Sequence, residues 1–595
     1  MEAPGGAPAQ VHRPHARRQG RRRRGPRGTG PLRRRFRGRD ARLNRRAPAR
    51  TTPCPVYGLE FQVTRGAPDA APTRADVVCF IGFVARRRHR GQPVPLPPEL
   101  KRWLSGHGWR ADAALVADDD DLLHTPVPVE SFEEFARLFA WETRLAAAPA
   151  ADHATWLGAA VRSFFAQGGA RCLVVRAGDP WLYVAPRGDL TPAEAAAAET
   201  LRQTRLRALV PNFGGAALPR ADDPPLNEGG PRRRPSWQGL GVLHGLAEAA
   251  AVCLPDLPEL VADAELAPEG FAEPPPPPEV FVECAEPTTP PEVERRWPTP
   301  APACTEHGFD TWFEAARAIG LFLEANRGRL LADALLALPL PAPGTVRPGR
   351  LLSLLVPGTS GGRLSVEVEN GGAASRTLQV VYPWLTTPNA PLLPGGLEPP
   401  DGVFAGVLAR SVLARGAHFS LGRQPLRAVT GFTPELEPEE VAWSGPPLSE
   451  DALIDRVSLL GPSPAGPRVL SDVNTSLVED FRPGGVERLT LAILRAARRL
   501  GEELVFDPNG PVLWRRVTRA LETLLTGFFE LGAFRGETTA DAFRVQCDAL
   551  TTTPNDLDAG RVVARVTFAP AQPVGWITVV LTLHEGGRVA AAAGA

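Results

Sequence analysis

Phe506 to Leu581 reads FDPNGPVLWRRVTRALETLLTGFFELGAFRGETTADAFRVQCDALTTTPNDLDAGRVVARVTFAPAQPVGWITVVL, and the order of patterns in it organises the rest of the chain. Glu503 to Phe506, just before and into this stretch, is a short β-rich run expected as a strand around Leu504. Asp507-Pro508-Asn509-Gly510-Pro511 is turn chemistry, with Asn509 expected as N-cap and Pro511 in the first turn of a helix. Trp514, Val517, Leu521, Leu524, Leu525, Phe528 and Phe529 then recur at helical spacing, while Arg515, Arg516, Arg519 and Glu522 fall off that stripe and Gly532 supplies a stop. Phe543, Val545 and Cys547 alternate with Arg544, Gln546 and Asp548, and Val562, Ala564, Val566 and Phe568 alternate with Arg561, Val563, Arg565 and Thr567. Each is the pattern of a strand with one buried face.

Working outward, Ile577, Val579, Leu581 and Leu583 alternate with Trp576, Thr578, Val580 and Thr582, and Pro570 and Pro573 set this run apart from the strand before it. Near the other end Tyr57, Leu59, Phe61 and Val63 alternate in the same way and are followed by Gly66, Pro68 and Pro72. Both are expected to be arms that leave their backbone groups unmet until they join a sheet. Upstream of the terminal stretch, Val486, Leu489, Ile493, Ala497 and Leu500 mark a helix over Glu487 to Leu500. Between the arms, buried runs at Val77 to Val84, Arg171 to Arg176 and Leu378 to Tyr382 alternate with helical patterns at Ser131 to Trp141, Thr155 to Gln167 and Thr311 to Leu338. Further strands are expected at Leu351 to Val356 and Leu364 to Glu369. The fold class is therefore α/β, or α+β, and multidomain, with a C-terminal mixed sheet flanked by helices. The expected organisation is an Arg-rich tail over 1–50, an N-terminal arm over 51–74, a core over 75–430 with Pro-rich insertions near 218–235 and 272–302, a terminal domain over 431–572, and a C-terminal arm over 573–595.

At 595 residues the chain exceeds one core. Its net charge of +1 conceals an asymmetry: residues 1–50 hold 17 Arg against Glu2 and Asp40, so the remainder has 50 basic and 64 acidic residues. The tail has too little apolar periodicity to offset the entropy of ordering. Cysteines 54, 79, 172, 253, 284, 304 and 547 are odd in number, widely spaced and mostly in apolar runs, the usage of reduced buried thiols in a cytoplasmic protein. No run approaches a membrane span or a secretory signal.

The terminal stretch resembles the C-terminal domain of contractile phage tail sheath proteins. The turn before the tryptophan helix, with Asn509 and Trp514, is followed by the Phe-x-Val-x-Cys-Asp strand ending at Cys547 and Asp548. Then comes the turn from Thr553 to Gly560, carrying Pro554, Asp556, Asp558 and Gly560, all in the family's order. VPVESFEEFARLFA, WLGAAVRSFFAQGGARCLVVR, VVYPWLTT and PPDGVFAGVLARSVLARGAHFSLGRQPLRAV resemble the family's earlier segments, so the resemblance spans most of Val77 to Leu583. Gly461 to Gly485, GPSPAGPRVLSDVNTSLVEDFRPGG, departs by lacking the tryptophan usual there. The resemblance implies a structural subunit that polymerises helically around an inner tube, with the tube, baseplate and tail terminator proteins as partners, assembly in the cytoplasm, and incorporation in a phage tail or tail-like particle. It also implies that both arms exchange between neighbours, and that removing residues 574–595 leaves a folded chain unable to polymerise. Because the family places the terminal domain innermost, Arg488, Arg495 and Arg499, or Arg515, Arg516 and Arg519, are candidates to face the tube.

Chemistry points elsewhere only weakly. The single lysine, Lys101, sits in Glu-Leu-Lys-Arg, so no Walker loop is present. Gly358-Thr-Ser360-Gly-Gly362 matches a nucleophile elbow, but the following RLSVEVEN has strand periodicity, so a hairpin turn fits better than a hydrolase site at Ser360. Gly239, Gly241 and Gly245 miss dinucleotide-loop spacing. Asp118 to Asp121 are adjacent carboxylates without spaced partners, and no histidine pair has ligand spacing. No enzyme, metal or cofactor is expected. A second alternative, nucleic-acid binding through the basic tail, rests on clustered Arg without interleaved aromatics.

Overall fold

The computed structural model describes residues 74–110, 120–144, 153–180, 191–219, 237–263, 300–342, 375–441, 452–504, 508–583 and 589–594. These all belong to the compact unit Pro68–Ala595. The N-terminal arm from Tyr57 to Val63, the turn at Ser360, the expected strands Leu351 to Val356 and Leu364 to Glu369, and most of both Pro-rich insertions lie outside the described residues.

Its principal strands in the first part are β1 (Val78–Phe83), β2 (Pro126–Val129), β3 (Cys172–Gly178), β4 (Ala251–Cys253), β5 (Asp333–Ala337), β6 (Leu378–Tyr382), β7 (Ser458–Gly461) and β8 (Arg468–Val469). They form one sheet in the order β8-β7-β6-β5-β4-β1-β3-β2. The six central strands run parallel and the two edge strands antiparallel. Parallel strands need crossovers and cover on both faces, which is why β1 and the Cys172–Val175 part of β3 read as unbroken apolar runs. The cover includes α1 (Phe132–Leu138), α2 (Trp156–Gln167), α3 (Pro192–Leu209), α4 (Glu306–Ala325) and α5 (Asp401–Arg415). Thr155 caps α2 by accepting from the Gly158 amide. Against it α5 lies so close that a Cβ on Gly402 would come 2.5 Å from the Ala160 Cα, and one on Gly406 2.5 Å from the Phe164 carbonyl. The glycines four apart in PPDGVFAGV thus set a helix–helix contact.

The second part has α6 (Gly484–Leu504), α7 (Pro511–Glu530), β9 (Phe543–Gln546), the short α8 (Pro554–Asp558), β10 (Val562–Phe568), β11 (Ile577–Leu583) and β12 (Val589–Gly594). The strands make a four-stranded meander, β9-β10-β11-β12. Val486, Leu489, Ile493 and Ala497 of α6 join Leu513, Val517, Leu521 and Leu525 of α7 and the inward residues of β9 to β11 in a second core.

Several expectations need correction. The helix expected to run to Leu338 stops at Ala325, and Asp333–Ala337 is a central parallel strand. A short continuous apolar run cannot be told from helix by periodicity alone. Leu504 ends α6 instead of forming a strand, and the terminal sheet is wholly antiparallel, not mixed. The mixed sheet is the large one. Beyond residue 431, β7 and β8 complete the large sheet, and the second core begins at Phe481. The five described cysteines, 79, 172, 253, 304 and 547, are buried free thiols.

Candidate functional site

The terminal unit brings the singled-out residues of the Asn509–Gly560 region together as a local brace. Gly510, not Asn509, is the N-cap of α7, and Pro511 takes the first helical position. Asn509 does another job: its amide donates to the Arg561 carbonyl at 3.0 Å and accepts from the Trp514 indole at 3.1 Å, tying the helix start to the head of β10. Thr553 caps α8 in a capping box with Asp556, whose carboxylate also meets Arg561 at 2.8 Å. Pro554 occupies the first turn, Asp558 closes the helix, and Gly560 adopts φ 64°, where a side chain is strained. Asp548 accepts from the Leu550 and Thr551 amides, shaping the turn after Cys547, which is 8% exposed.

The C-terminal arm is docked within its own chain. Over Ile577 to Leu583, β11 pairs antiparallel with β10, and Ile577, Val579 and Leu581 are buried in the second core while Leu583 is half-buried. The prolines that suggested detachment lie in a packed connection: Ala569 donates to the Ala542 carbonyl, and the Gly575 amide donates to Asp480 at 2.7 Å. The outermost strand is β12, paired with β11 from Val589 to Gly594. Among the described residues nothing pairs with its other edge.

The arginine candidates separate. Arg515, Arg516 and Arg519 are exposed on α7, and Arg499 is exposed near the end of α6. Arg488 and Arg495 are buried, so neither presents a surface to a tube. Arg488 forms a two-pronged pair with Asp472 at 2.6 and 3.1 Å, and Asp472 also accepts from Gln379 and from the Leu421 amide. Burial works to raise the Asp472 carboxyl, but the Arg488 charge and these donors hold it below its ordinary range. Arg495 donates to the carbonyls of Leu331, Ala249 and Arg74, and burial pushes it down to about 10. Beside them Arg327 pairs with Glu487, and burial pushes Asp333 well up.

This polar seam joins the second face of α6 to the large sheet, and sequence reading missed it. Glu487, Arg488, Thr490 and Arg495 fall off the apolar stripe and so resemble a solvated face. The available signals were Ala492 and Ala496 interleaved with them, and the run Ser471-Asp472-Val473-Asn474-Thr475-Ser476, whose polar members are all buried. The segment Gly461 to Gly485 supplies the seam with Asp472.

Elsewhere, burial pushes Asp256, Glu398 and Asp401 up to about 7. Asp256 accepts from the Phe83 amide at 2.9 Å, Glu398 accepts from Thr387 and Asn389, and Asp401 starts α5. All three are interior groups at the carboxyl ends of the strands or in the loops beyond them. Asp120 and Asp121 are engaged by Arg110 and Arg176. Among the described residues no group of three His, Cys, Asp or Glu side chains is placed to hold a metal, and no helix is long and apolar enough to cross a membrane.

No family model and no curated protein matches the chain. Among solved structures it is similar to a chain of the anti-feeding prophage baseplate in the contracted state, at 18% identity and TM-score 0.49, covering 88% of this chain and 97% of that one. It is similar to the anti-feeding prophage helical sheath in the contracted state, at 16% identity and TM-score 0.44 with the same coverage. A third likeness, to the sheath tail protein of Desulfitobacterium hafniense, has 14% identity and TM-score 0.31 and covers 45% of this chain and 52% of that one.

Proposed function

We propose that the chain is a structural subunit of a contractile tail sheath, polymerising helically around an inner tube and contracting to drive that tube through a target envelope. The observation that carries this reading is the terminal unit. Its sequence follows the sheath family's order from Phe506 to Leu581, and its meander ends on β12 with an open edge. The edge sequence, Val-Ala-Ala-Ala-Ala-Gly, has no charge and no proline, the devices that ordinarily prevent pairing with another chain. The same unit also exposes Val512, Leu531, Leu550 and Trp576, apolar side chains available for contacts between subunits. A head-to-tail contact of this kind does not close on itself and so propagates as a helix. In this reading no catalysis is required; the partners are further copies of the chain, an inner tube met by the Arg515, Arg516 and Arg519 face, and the baseplate and terminator, with assembly in the cytoplasm.

Electron microscopy of the protein purified from its own cells, alone and with the co-purifying tube protein, is the test. Striated hollow tubes are expected. A protein that stays monomeric at high concentration and never decorates a tube would overturn the reading.

A further inference from the structure

Where the end of α6 meets the helix Pro98–Gly106 there is an open cleft of about 390 Å3. Trp103 and His107 contribute stacked rings 4.3 Å apart, the stretches 245–249 and 330–332 line much of the rest, and Arg329, Arg498, Arg499 and Glu502 add charge. Glu502 is used locally, 3.5 Å from Arg498, and Glu248 accepts from Arg171. Arg329 and Arg499 have no carboxylate partner among the described residues, so the cleft combines an aromatic plane with unneutralised guanidinium groups. Such a surface suits an acidic, proline-rich strand: proline rings lie flat on aromatic side chains, and flanking carboxylates pair with arginine.

The chain carries one segment of that composition. Residues 264–299 hold eight Glu against two Arg, and include Glu273-Pro-Pro-Pro-Pro-Pro-Glu279. Its reach is sufficient. Asp263, the last described residue before it, accepts from the Thr305 amide at the start of α4. The twenty residues of α4 then run towards the cleft-lining Arg329, a separation of about 30 Å at ~1.5 Å per residue. From Asp263 to Pro274 is roughly eleven residues, able to span about 36 Å when extended. We propose that the cleft docks the chain's own Glu273–Glu279 segment, holding the insertion across the junction between α6 and the main body.

The native Cys284 lies close beyond this segment, and the five described cysteines are buried, so a thiol cross-link reads the contact directly. In the full chain carrying Cys54→Ser and Ala247→Cys, at an exposed position on the cleft lining, a short bismaleimide is expected to join Cys284 to position 247 within one chain. The yield should fall several-fold on adding Trp103→Ala or Arg329→Glu, and also on adding excess synthetic peptide spanning residues 269–283, but not on adding the same peptide with Gln for Glu. The peptide arm needs no further substitution, so a folding defect in a variant does not decide the result. No cross-link, or one insensitive to the acidic peptide, would overturn the proposal. A cross-link only between chains would overturn it too, assigning the cleft to a second copy.

Discussion

Asp401 shows how one buried group can set the pH behaviour of a fold. It begins α5, where backbone amides favour its anion, yet burial dominates and pushes it up to about 7 from an ordinary 3.8. Asp256 and Glu398 are raised to about 7 for the same reason. A folded-state value above the unfolded one means that stability is fully present below about pH 4 for such a group and is lost as pH rises to about 7. A three-unit separation corresponds to on the order of 4 kcal/mol. Replacing Asp401 by Asn keeps the shape and removes the ionisation. The variant is expected to gain stability over the wild type progressively from pH 4.5 to 8 in denaturant titrations; a difference that stays flat across that range would count against the buried-anion account. Arg495 is shifted the other way for a base, down to about 10, so its desolvation cost is relieved and its contribution to stability rises only in strong alkali.

At the scale of an element, α6 is a helix with two buried faces of opposite character. One face is apolar and belongs to the second core, while the other carries Glu487, Arg488 and Arg495 into the first. Breaking a buried pair strands the surviving charge, so Asp472→Ala or Arg488→Ala should each cost about 3–5 kcal/mol. The double change Asp472→Leu with Arg488→Met removes both charges and is expected to recover much of that loss. A double variant no more stable than the singles, measured by chemical unfolding, would show that packing and not charge dominates the seam. The brace at Asn509 is a smaller matter: it lies at the surface, and its loss to Ala should cost only about 1 kcal/mol.

For the whole molecule, the consequence of β11 lying inside the sheet is that the C-terminal arm has two parts. Deleting residues 574–595 removes Ile577, Val579 and Leu581 from the core, roughly 5–9 kcal/mol of apolar burial, as much as a domain's entire stability. The truncated chain is therefore expected to lose most of its terminal unit's stability. Hydrogen exchange should show the amides of Val562 to Phe568 losing protection in that truncation and keeping it when only 584–595 are deleted. The shorter deletion is then the one that isolates the role of β12 in assembly, and long sheaths formed without it would refute a polymerising role for that strand.

Patterns of side-chain type by themselves determined much of the local structure. The alternation of Val562 to Phe568, the stripe on Pro511 to Glu530, the helix from Thr155 to Gln167 and the Thr553 to Gly560 turn all depend on neighbours within a few residues, and each appears in the structure. What only the tertiary structure decided were matters of partnership. Ala334 to Ala337 became a strand because β4 and β6 stand on either side of it. Ile577 to Leu583 became a third strand of its own sheet because the connection across Pro570 and Pro573 folds back instead of leading away. Arg488 and Arg495 are interior because Asp472 and the Leu331 carbonyl, distant in sequence, complete their hydrogen bonds. Periodicity reports which face of an element is apolar; it carries no information about whether a polar face meets water or meets its complement from another part of the chain.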